Sequence, residues 1–442
     1  MQNKHHLVVV GGGFGGLSLV QALRKTDIDI TLVDKRNHHL FQPLLYQVAT
    51  GGLSPANIST PLRELFRKQI NCRVVMDEMV DLDLTTRQIL LGDKKLPYDT
   101  LVIAAGATNS YFGNDQWATH AVGLKSIEEA TEIRARVLSA FERAELSTDE
   151  AEINRLLTFV VIGGGPTGVE MAGAISELSH HTLKGDFRKI DATKARILLV
   201  EGSDRLLAAF EPTSSARALH SLEKMGVEVW TKSRVKEIHP DHIVVDHQGS
   251  LQKIYAGAIV WGAGVKGNTI GAKVAAACGV TVDRGGRIPV LPDLSVANHP
   301  DIYVIGDIAA APMEEGKFVP GLAPAAMQMG EFVARKLKSR LVGAKDPGNF
   351  RYVNKGNMAT IGRAQAVVEL PFPKINFGGY LAWLAWLFVH INYLIMFQNR
   401  LLVMLQWSWT YFTRNRSALL ITHPREEDMK PVVGAVSQPP TV

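Results

Sequence analysis

The sequence predicts an α/β protein in which one kind of strand–turn–helix unit occurs twice, closed by an aromatic helical segment near the C-terminus. Three observations predict it. First, LVVVGGGFGG (7–16) and LTFVVIGGGPTGVE (157–170) each place a β-rich run before a G-x-G-x-x-G turn. An amphipathic stretch follows each, then a second strand ending in an acid, ITLVDKR (30–36) and ILLVEGS (197–203). This is duplication of a nucleotide-binding half, not a short-period repeat. Second, strand-like runs alternate with helix-like stretches, as in parallel sheets, and further strand-to-turn segments recur at YDTLVIAAGATNS (98–110), YAGAIVWGAGV (255–265) and IYVIGDIAAA (302–311). Third, composition changes near residue 373. From Leu370 to His423 there is no acidic residue, and Lys374, Arg400, Arg414 and Arg416 are the formal charges.

At 442 residues the chain has room for two or three domains. Its net charge of +5 comes with no basic block interleaved with aromatics, so a nucleic-acid partner is not expected. Cys72 and Cys278 are the two cysteines, with no CxxC spacing, which argues against a disulfide framework and a thiolate metal site. A reduced, cytoplasm-like compartment is expected, since the chain passes from MQNKHH straight into LVVV. The histidines at 5, 6, 38, 39, 180 and 181 come in adjacent pairs and read as surface residues, and no metal is expected.

In the first turn Gly11 makes the sharp bend, Gly13 lets backbone N–H groups approach a pyrophosphate, and Gly16 lets helix and strand pack closely. Asp34 ends the next strand, where an acid accepts from ribose hydroxyls. The glycine spacing alone is weak; strand, turn, helix, strand and acid together read as a Rossmann-type dinucleotide site. Gly306 and Asp307 add a second strand end, where an acid meets a polyol hydroxyl of a ligand lying across the sheet edge. FAD needs that distant contact for its ribityl chain and NAD does not, so FAD is expected here. The plainer reading of Asp307 is a helix N-cap.

Gly163, Gly165 and Gly168 repeat the spacing, with Glu201 at the end of the following strand. An acid there favours a free 2′-hydroxyl and repels a 2′-phosphate, so NADH is expected over NADPH, although Arg205 keeps NADPH open. Glu170 follows the turn directly. It either positions the nicotinamide or relays a proton, or it is an acid stabilised by the helix macrodipole.

From Ile375 to Asn399 there are 25 residues without formal charge, long enough for a transmembrane helix. His390 and Asn392 fall mid-run, and Trp383, Trp386, Trp407 and Trp409 suit the headgroup boundary, with Arg400, Arg414 and Arg416 toward anionic lipid. Two helices lying in the interface are expected; a span and a buried dimer face are the alternatives.

The chain resembles the type II NADH:quinone oxidoreductases, single-subunit, non-pumping NADH dehydrogenases of the two-dinucleotide-binding flavoprotein superfamily. The resemblance is carried by VVVGGGFGGLSLV, NHHLFQPLLYQVATGGLSPANISTPLR, VVIGGGPTGVEMAGAISEL, IYVIGDIA, VPGLAPAAMQMG and WLAWLFVHINYLIMFQNRLLVMLQWSWTYFT. The glycine turns are shared across the superfamily; FQPLLYQVATG and the C-terminal run are more selective. The resemblance implies a glutathione-reductase-like fold with two Rossmann-like domains: an FAD domain in two parts (1–115 and 286–345), an NADH domain (116–285) and a C-terminal membrane-associating region (346–423). It does not extend over the C-terminal end, where the polar, proline-bearing composition of 424–442 reads as a disordered tail.

For the cofactor, the resemblance implies FAD held by Gly11, Gly13, Phe14, Gly15, Gly16 and Asp34, with Lys35 beside the adenosine. Pro43 and Leu44 would lie near the flavin, Ala105 and Gly106 along the phosphate–ribityl stretch, with Gly306, Asp307 and Ala325 completing the site. NADH would take Gly163, Gly164, Gly165, Pro166, Thr167, Gly168, Glu170, Glu201 and Gly264. Many relatives read A-Q-x-A-x-Q beside the quinone, with two glutamines; here Pro324 replaces the first and Gln328 remains. Glu170 and Gln328 are the implied catalytic candidates. The implied activity is FAD-dependent transfer of a hydride from NADH, then of two electrons to a membrane quinone, without proton pumping. It would take place on a lipid bilayer surface at the cytoplasmic face of a bacterial inner membrane, in a family where homodimers are common. Competing readings are a soluble NADH-dependent flavin or ferredoxin-type reductase and a non-turnover flavin redox sensor. The absence of a cysteine in the segment after Asp34 argues against disulfide, peroxide and sulfide chemistry.

Overall fold

The structure, a computed structural model, describes residues 4–422, the side chain of Glu315 excepted. The tail expected at 424–442 lies outside the described residues. The chain forms two compact units. The first takes in the chain up to Leu40, Ser59–Thr108 and Val265–Lys355; the second takes in Phe41–Ile58, Asn109–Gly264 and the chain from Gly356.

The first unit is built on a six-stranded sheet in the order Ser295–Val296, His299–Val304, Thr100–Ile103, His6–Val10, Asp29–Asp34 and Cys72–Met76. All its pairings are parallel except the edge pair Ser295–Val296 with His299–Val304. Leu7, Val8 and Val9 are fully buried, which is why the central strand reads as an unbroken apolar run instead of alternating. The helices Phe14–Ala22 and Ala323–Leu341 pack together. They come close at Gly330, where a Cβ would fall 2.3 Å from the Gly15 carbonyl oxygen.

The second unit repeats the plan. Thr158–Ile162 sits between Arg196–Val200 and Ala258–Trp261, with Ala121–Val122 and Val227–Trp230 at the edges, all parallel. The duplication extends to register: Val10 lies opposite Val33, and Ile162 opposite Val200, each pair at the end of its strands. An antiparallel meander, Ser233–Ile238, His242–His247 and Ser250–Tyr255, extends this unit.

A second meander, Asn357–Gly362, Gln365–Pro371 and Lys374–Gly379, lies on the helix Pro166–Glu177. Here helix and strand touch backbone to backbone, and a Cβ on Gly173 would sit 1.8 Å from the Ile361 carbonyl oxygen. The uncharged run is therefore not one element. It finishes this strand, turns at Gly379 (φ 78°) into the helix Tyr380–Tyr393, then turns again at Met396 (φ 70°) into the helix Phe397–Thr413. A 14-residue helix spans about 21 Å, short of a hydrocarbon core about 30 Å thick. Among the described residues no helix is long and apolar enough to cross a membrane.

Gly173→Ala forces the meander off this helix. It is expected to lower stability by about 1–3 kcal/mol, the usual cost of overpacking, read as a reduced midpoint of thermal unfolding.

Candidate functional site

The two glycine turns have the same geometry. Gly11 takes φ +109° and donates its N–H to Val33 at 2.8 Å; Gly163 takes φ +106° and donates to Val200 at 2.8 Å. A Cβ on Gly16 would lie 1.9 Å from the Gly11 carbonyl oxygen, and one on Gly168 would lie 1.7 Å from that of Gly163. No side chain fits at either crossing. Gly13 and Gly165 cap the helices Phe14–Ala22 and Pro166–Glu177 without a side-chain hydrogen bond, and open space surrounds the Cβ each lacks. The first helical N–H groups thus face a gap at the positive end of each dipole, a geometry suited to a pyrophosphate. Gly15 and Phe14 form the first turn of one helix; Pro166 and Thr167 open the other, proline fitting where no N–H partner is needed.

Each expected acid is bound to its own turn. Asp34 accepts from the Gly12 N–H at 2.6 Å and from the Arg36 N–H at 2.7 Å. Glu201 accepts from the Gly164 N–H and, through its other oxygen, from the Ser203 N–H at 2.6 Å. Both carboxylates are held at the strand end with acceptor capacity left over. Arg205 turns to the Ala208 carbonyl at 2.9 Å.

In the first unit, Ala104 and Ala105 pass directly under Gly11, whose Cβ would meet the Ala104 oxygen at 2.3 Å. Gly106 (φ +66°) follows with open space beside it. Gly306 (φ +75°) and Asp307 begin the 3₁₀ turn Gly306–Ile308, and Ala325 is buried in the first turn of the helix Ala323–Leu341. Lys35 pairs with Glu78 at 3.3 Å. His39, read from the sequence as a surface residue, is 2% exposed. Its Nδ1 meets the Gly12 carbonyl at 2.9 Å and its ring stands edge-on to Phe14. A carbonyl only accepts, so Nδ1 carries the proton and Nε2 is a buried acceptor with no partner among the described residues. Burial holds this imidazole neutral, its pKa pushed down to about 4. A histidine five residues after a strand acid left no sequence signal of this role.

In the second unit, burial pushes the Glu170 carboxyl up to about 8, against one long contact from the Thr360 N–H at 3.5 Å. It is therefore an acid holding its proton at neutral pH, and the macrodipole does not win. Pro43 lies in the 3₁₀ turn Gln42–Leu44, with Leu44 fully buried. Gly264 (φ +76°) lies against Phe112, whose ring would be 2.5 Å from an added Cβ.

The helix Ala323–Leu341 begins at the A-P-x-A-x-Q segment. Pro324 occupies its first turn, where a proline costs nothing, and Gln328 exchanges two hydrogen bonds with the Val353 backbone at 2.9 and 3.0 Å. One of the membrane expectations needs correcting. Trp386 is 2% exposed and stacks on His390, so it belongs to the core and cannot reach headgroups. Arg400 donates to the Leu394 and Asn392 carbonyls, Arg414 to the His181 ring, and Arg416 is buried against Glu177 and the Thr50 carbonyl. Of these three, only the Arg416 side chain is buried, at 7% exposed; Arg400 is half-buried and Arg414 is exposed. Trp383 stacks between Tyr380 and Tyr411, Trp407 lies beside Trp386, and Trp409 alone of the named tryptophans is strongly exposed, at 65%.

Both cysteines are thiols in which burial holds the proton, with pKa values raised to about 12 for Cys72 and about 11 for Cys278. No cluster of three metal-ligating side chains occurs among the described residues.

Two families match this chain. One, described as pyridine nucleotide-disulphide oxidoreductase, matches residues 5–330; the other, the NDH2 C-terminal domain, matches residues 354–415. The type II NADH:quinone oxidoreductase Ndh of Mycobacterium tuberculosis is 44% identical over 428 residues, covering 95% of this chain and 90% of that protein. NdhA of the same organism is 43% identical with the same coverage. Among solved structures, NDH2 from Plasmodium falciparum in complex with NADH superposes with a TM-score of 0.86 at 20% identity, covering 94% of this chain and 100% of that one. At that identity the likeness speaks for the fold alone.

Because the folded state keeps the Glu170 proton up to about 8 while an unfolded carboxyl releases it near 4.5, stability is expected to fall as pH rises through that window. Glu170→Gln, which keeps the shape without the charge, is expected to flatten the fall. Urea midpoints across the window check this, and parallel curves for both proteins would contradict it.

Proposed function

This chain belongs to the type II NADH:quinone oxidoreductases, and from that premise we propose how its own residues divide the work. NADH and a quinone are its substrates and FAD its cofactor. The first unit fits FAD on two counts: the uncapped helix start at Gly13, with no side chain in the way, and the orphaned Nε2 of buried His39, an acceptor suited to a hydroxyl or amino group. Gly11, Gly13, Phe14, Gly15 and Gly16 would hold the pyrophosphate, Asp34 the ribose, and Ala105, Gly106, Gly306, Asp307 and Ala325 the remainder. Bound there, FAD supplies a centre that takes two electrons from a nicotinamide and passes them to a quinone.

The second unit would bind NADH through Gly163–Gly168 and Glu201, with Gly264 at a neighbouring strand end. Glu201 accepts from the free ribose hydroxyls and repels a 2′-phosphate. Quinone reduction consumes two protons, and Glu170, protonated below about 8, would release one. The single observation that carries this reading is the pair of matched turns, each with its own acid.

The C-terminal helices support a lipid surface. Leu381, Phe388, Phe397, Leu405, Trp409 and Phe412 are each more than half exposed. With Arg416 buried and Arg400 turned to backbone carbonyls, Arg414 is the one of the three left exposed, so attachment would rest mainly on apolar burial and little on attraction to anionic headgroups. A bilayer also stores the oily acceptor, and the membrane face bathed by cytoplasmic NADH is the expected location. A second copy of the chain covering the same face is the competing arrangement.

Purification in detergent should give a yellow protein that is bleached by NADH and turns over with a short-chain quinone. Flavin bleaching without turnover would contradict the quinone assignment. Glu201→Gln keeps an acceptor for Gly164 but removes the charge. It should erode the preference for NADH over NADPH by about tenfold or more, as expected for a charged hydrogen bond, measured as the ratio of kcat/KM values. Binding to vesicles should change little between low and high salt. A steep loss with salt would show that charge, not apolar area, holds the protein there.

A further inference from the structure

A hydrogen-bond chain runs within the second unit from the helix Phe397–Thr413 to the short helix Leu45–Ala49. Trp407 Nε1 donates to Gln47 Oε1 at 2.7 Å, and Gln47 Nε2 donates to the Tyr46 hydroxyl at 2.8 Å. The direction of this chain is forced. An indole N–H can only donate, and an amide has one accepting and one donating end. With the Trp407 proton on the amide oxygen, the amide nitrogen must face Tyr46 and occupy a lone pair of its oxygen. The Tyr46 proton then points away from the chain, and among the described residues Gln47 is the only hydrogen-bond partner of that hydroxyl.

Tyr46 is 7% exposed, and a buried hydroxyl with an unused proton is costly. Its helix packs on Pro166–Glu177, which brings it near Glu170: after burial, the Glu170 charge is the largest influence raising the phenol's pKa. A donor without an acceptor calls for a ligand that offers acceptors only. A quinone offers two carbonyl oxygens and no donor.

We propose that Tyr46 donates a hydrogen bond to a carbonyl oxygen of the quinone, and that Gln47 and Trp407 are positioning residues that keep it in the donor state. The proposal rests on the NADH:quinone reading above. It also links acceptor use to the C-terminal pair of helices, because Trp407 packs 5.6 Å from Trp386 on the element that exposes Leu405 and Phe412.

The polarity can be reversed without changing shape. In Gln47→Glu both oxygens accept, one from Trp407 and one from Tyr46, so the Tyr46 proton is consumed inside the chain. The full-length holoenzyme in detergent is compared as wild type, Y46F, Q47E and the double variant, with a short-chain quinone and with ferricyanide, which offers no carbonyl. Y46F and Q47E should each raise the KM for quinone by about three- to tenfold, the usual weight of one neutral hydrogen bond, while ferricyanide turnover stays at the wild-type level. The double variant should be no worse than Y46F, because Gln47 acts only through the hydroxyl. W407F, which frees the amide to flip, should give a smaller rise. Additive losses in the double variant, or equal losses with both acceptors, would overturn the proposal in favour of a structural role. A wild-type quinone KM in Y46F would also overturn it. A wild-type protein that bleaches with NADH but reduces no quinone would instead defeat the reading on which the proposal depends.

Discussion

Two carbonyl oxygens, those of Gly11 and Gly163, occupy the positions where a helix residue would otherwise carry its first side-chain carbon. That contact sets the distance between strand and helix in each nucleotide-binding half. If it were wider by one methyl group, the helix start would tilt away from the strand end, and the N–H groups that face the gap would lose their common aim. The acids respond to the same constraint. Asp34 and Glu201 accept from Gly12 and Gly164 because the turn brings those N–H groups over the end of the neighbouring strand. Sheet order, register and the placement of Gly13 and Gly165 all follow from this close crossing, made once and then repeated.

The C-terminal part is fastened by other means. Arg416, with a side chain 7% exposed, binds Glu177 at 3.2 Å and the Thr50 carbonyl at 2.9 Å. The chain after it hydrogen-bonds Gly51 through Ala418. A buried cation of this kind adds little net stability, yet removing either partner leaves the other charge stranded. Its value is specificity: it allows one seating of the segment that follows the last helix. The helix bearing Glu170 therefore receives the meander at Gly173 and the end segment at Glu177, one turn apart.

The duplicated halves and the two glycine turns were legible because each needs only residues close in sequence: glycines at fixed offsets and an acid at the next strand end. Gly330 and Gly173 were not singled out, since the groups that exclude a side chain there, the carbonyls of Gly15 and Ile361, are remote in the chain. His39 escaped notice for the same reason. Its partner is a turn carbonyl, and the pairing of His38–Leu40 with Ser59–Pro61 that fixes its strand is a tertiary event. Arg400 and Arg416 were misread because composition records charge but not what engages it, and here their acceptors are backbone carbonyls and the half-buried Glu177 carboxylate. The uncharged run misled in the same way: hydropathy carried no trace of the positive φ at Met396 that divides it.

Tying the strand-end acid to its own turn has a cost for any redesign of coenzyme choice. Exchanging Glu201 for a basic residue would supply a partner for a phosphorylated ribose but strip Gly164 and Ser203 of the oxygens they share. The loop would then have two unmet N–H donors in place of one satisfied group. A switch of coenzyme in this scaffold must rebuild the loop from Gly202 to Arg205 together with the acid: a single change at Glu201 can weaken a preference, but installing the opposite one is a task for the whole peptide segment.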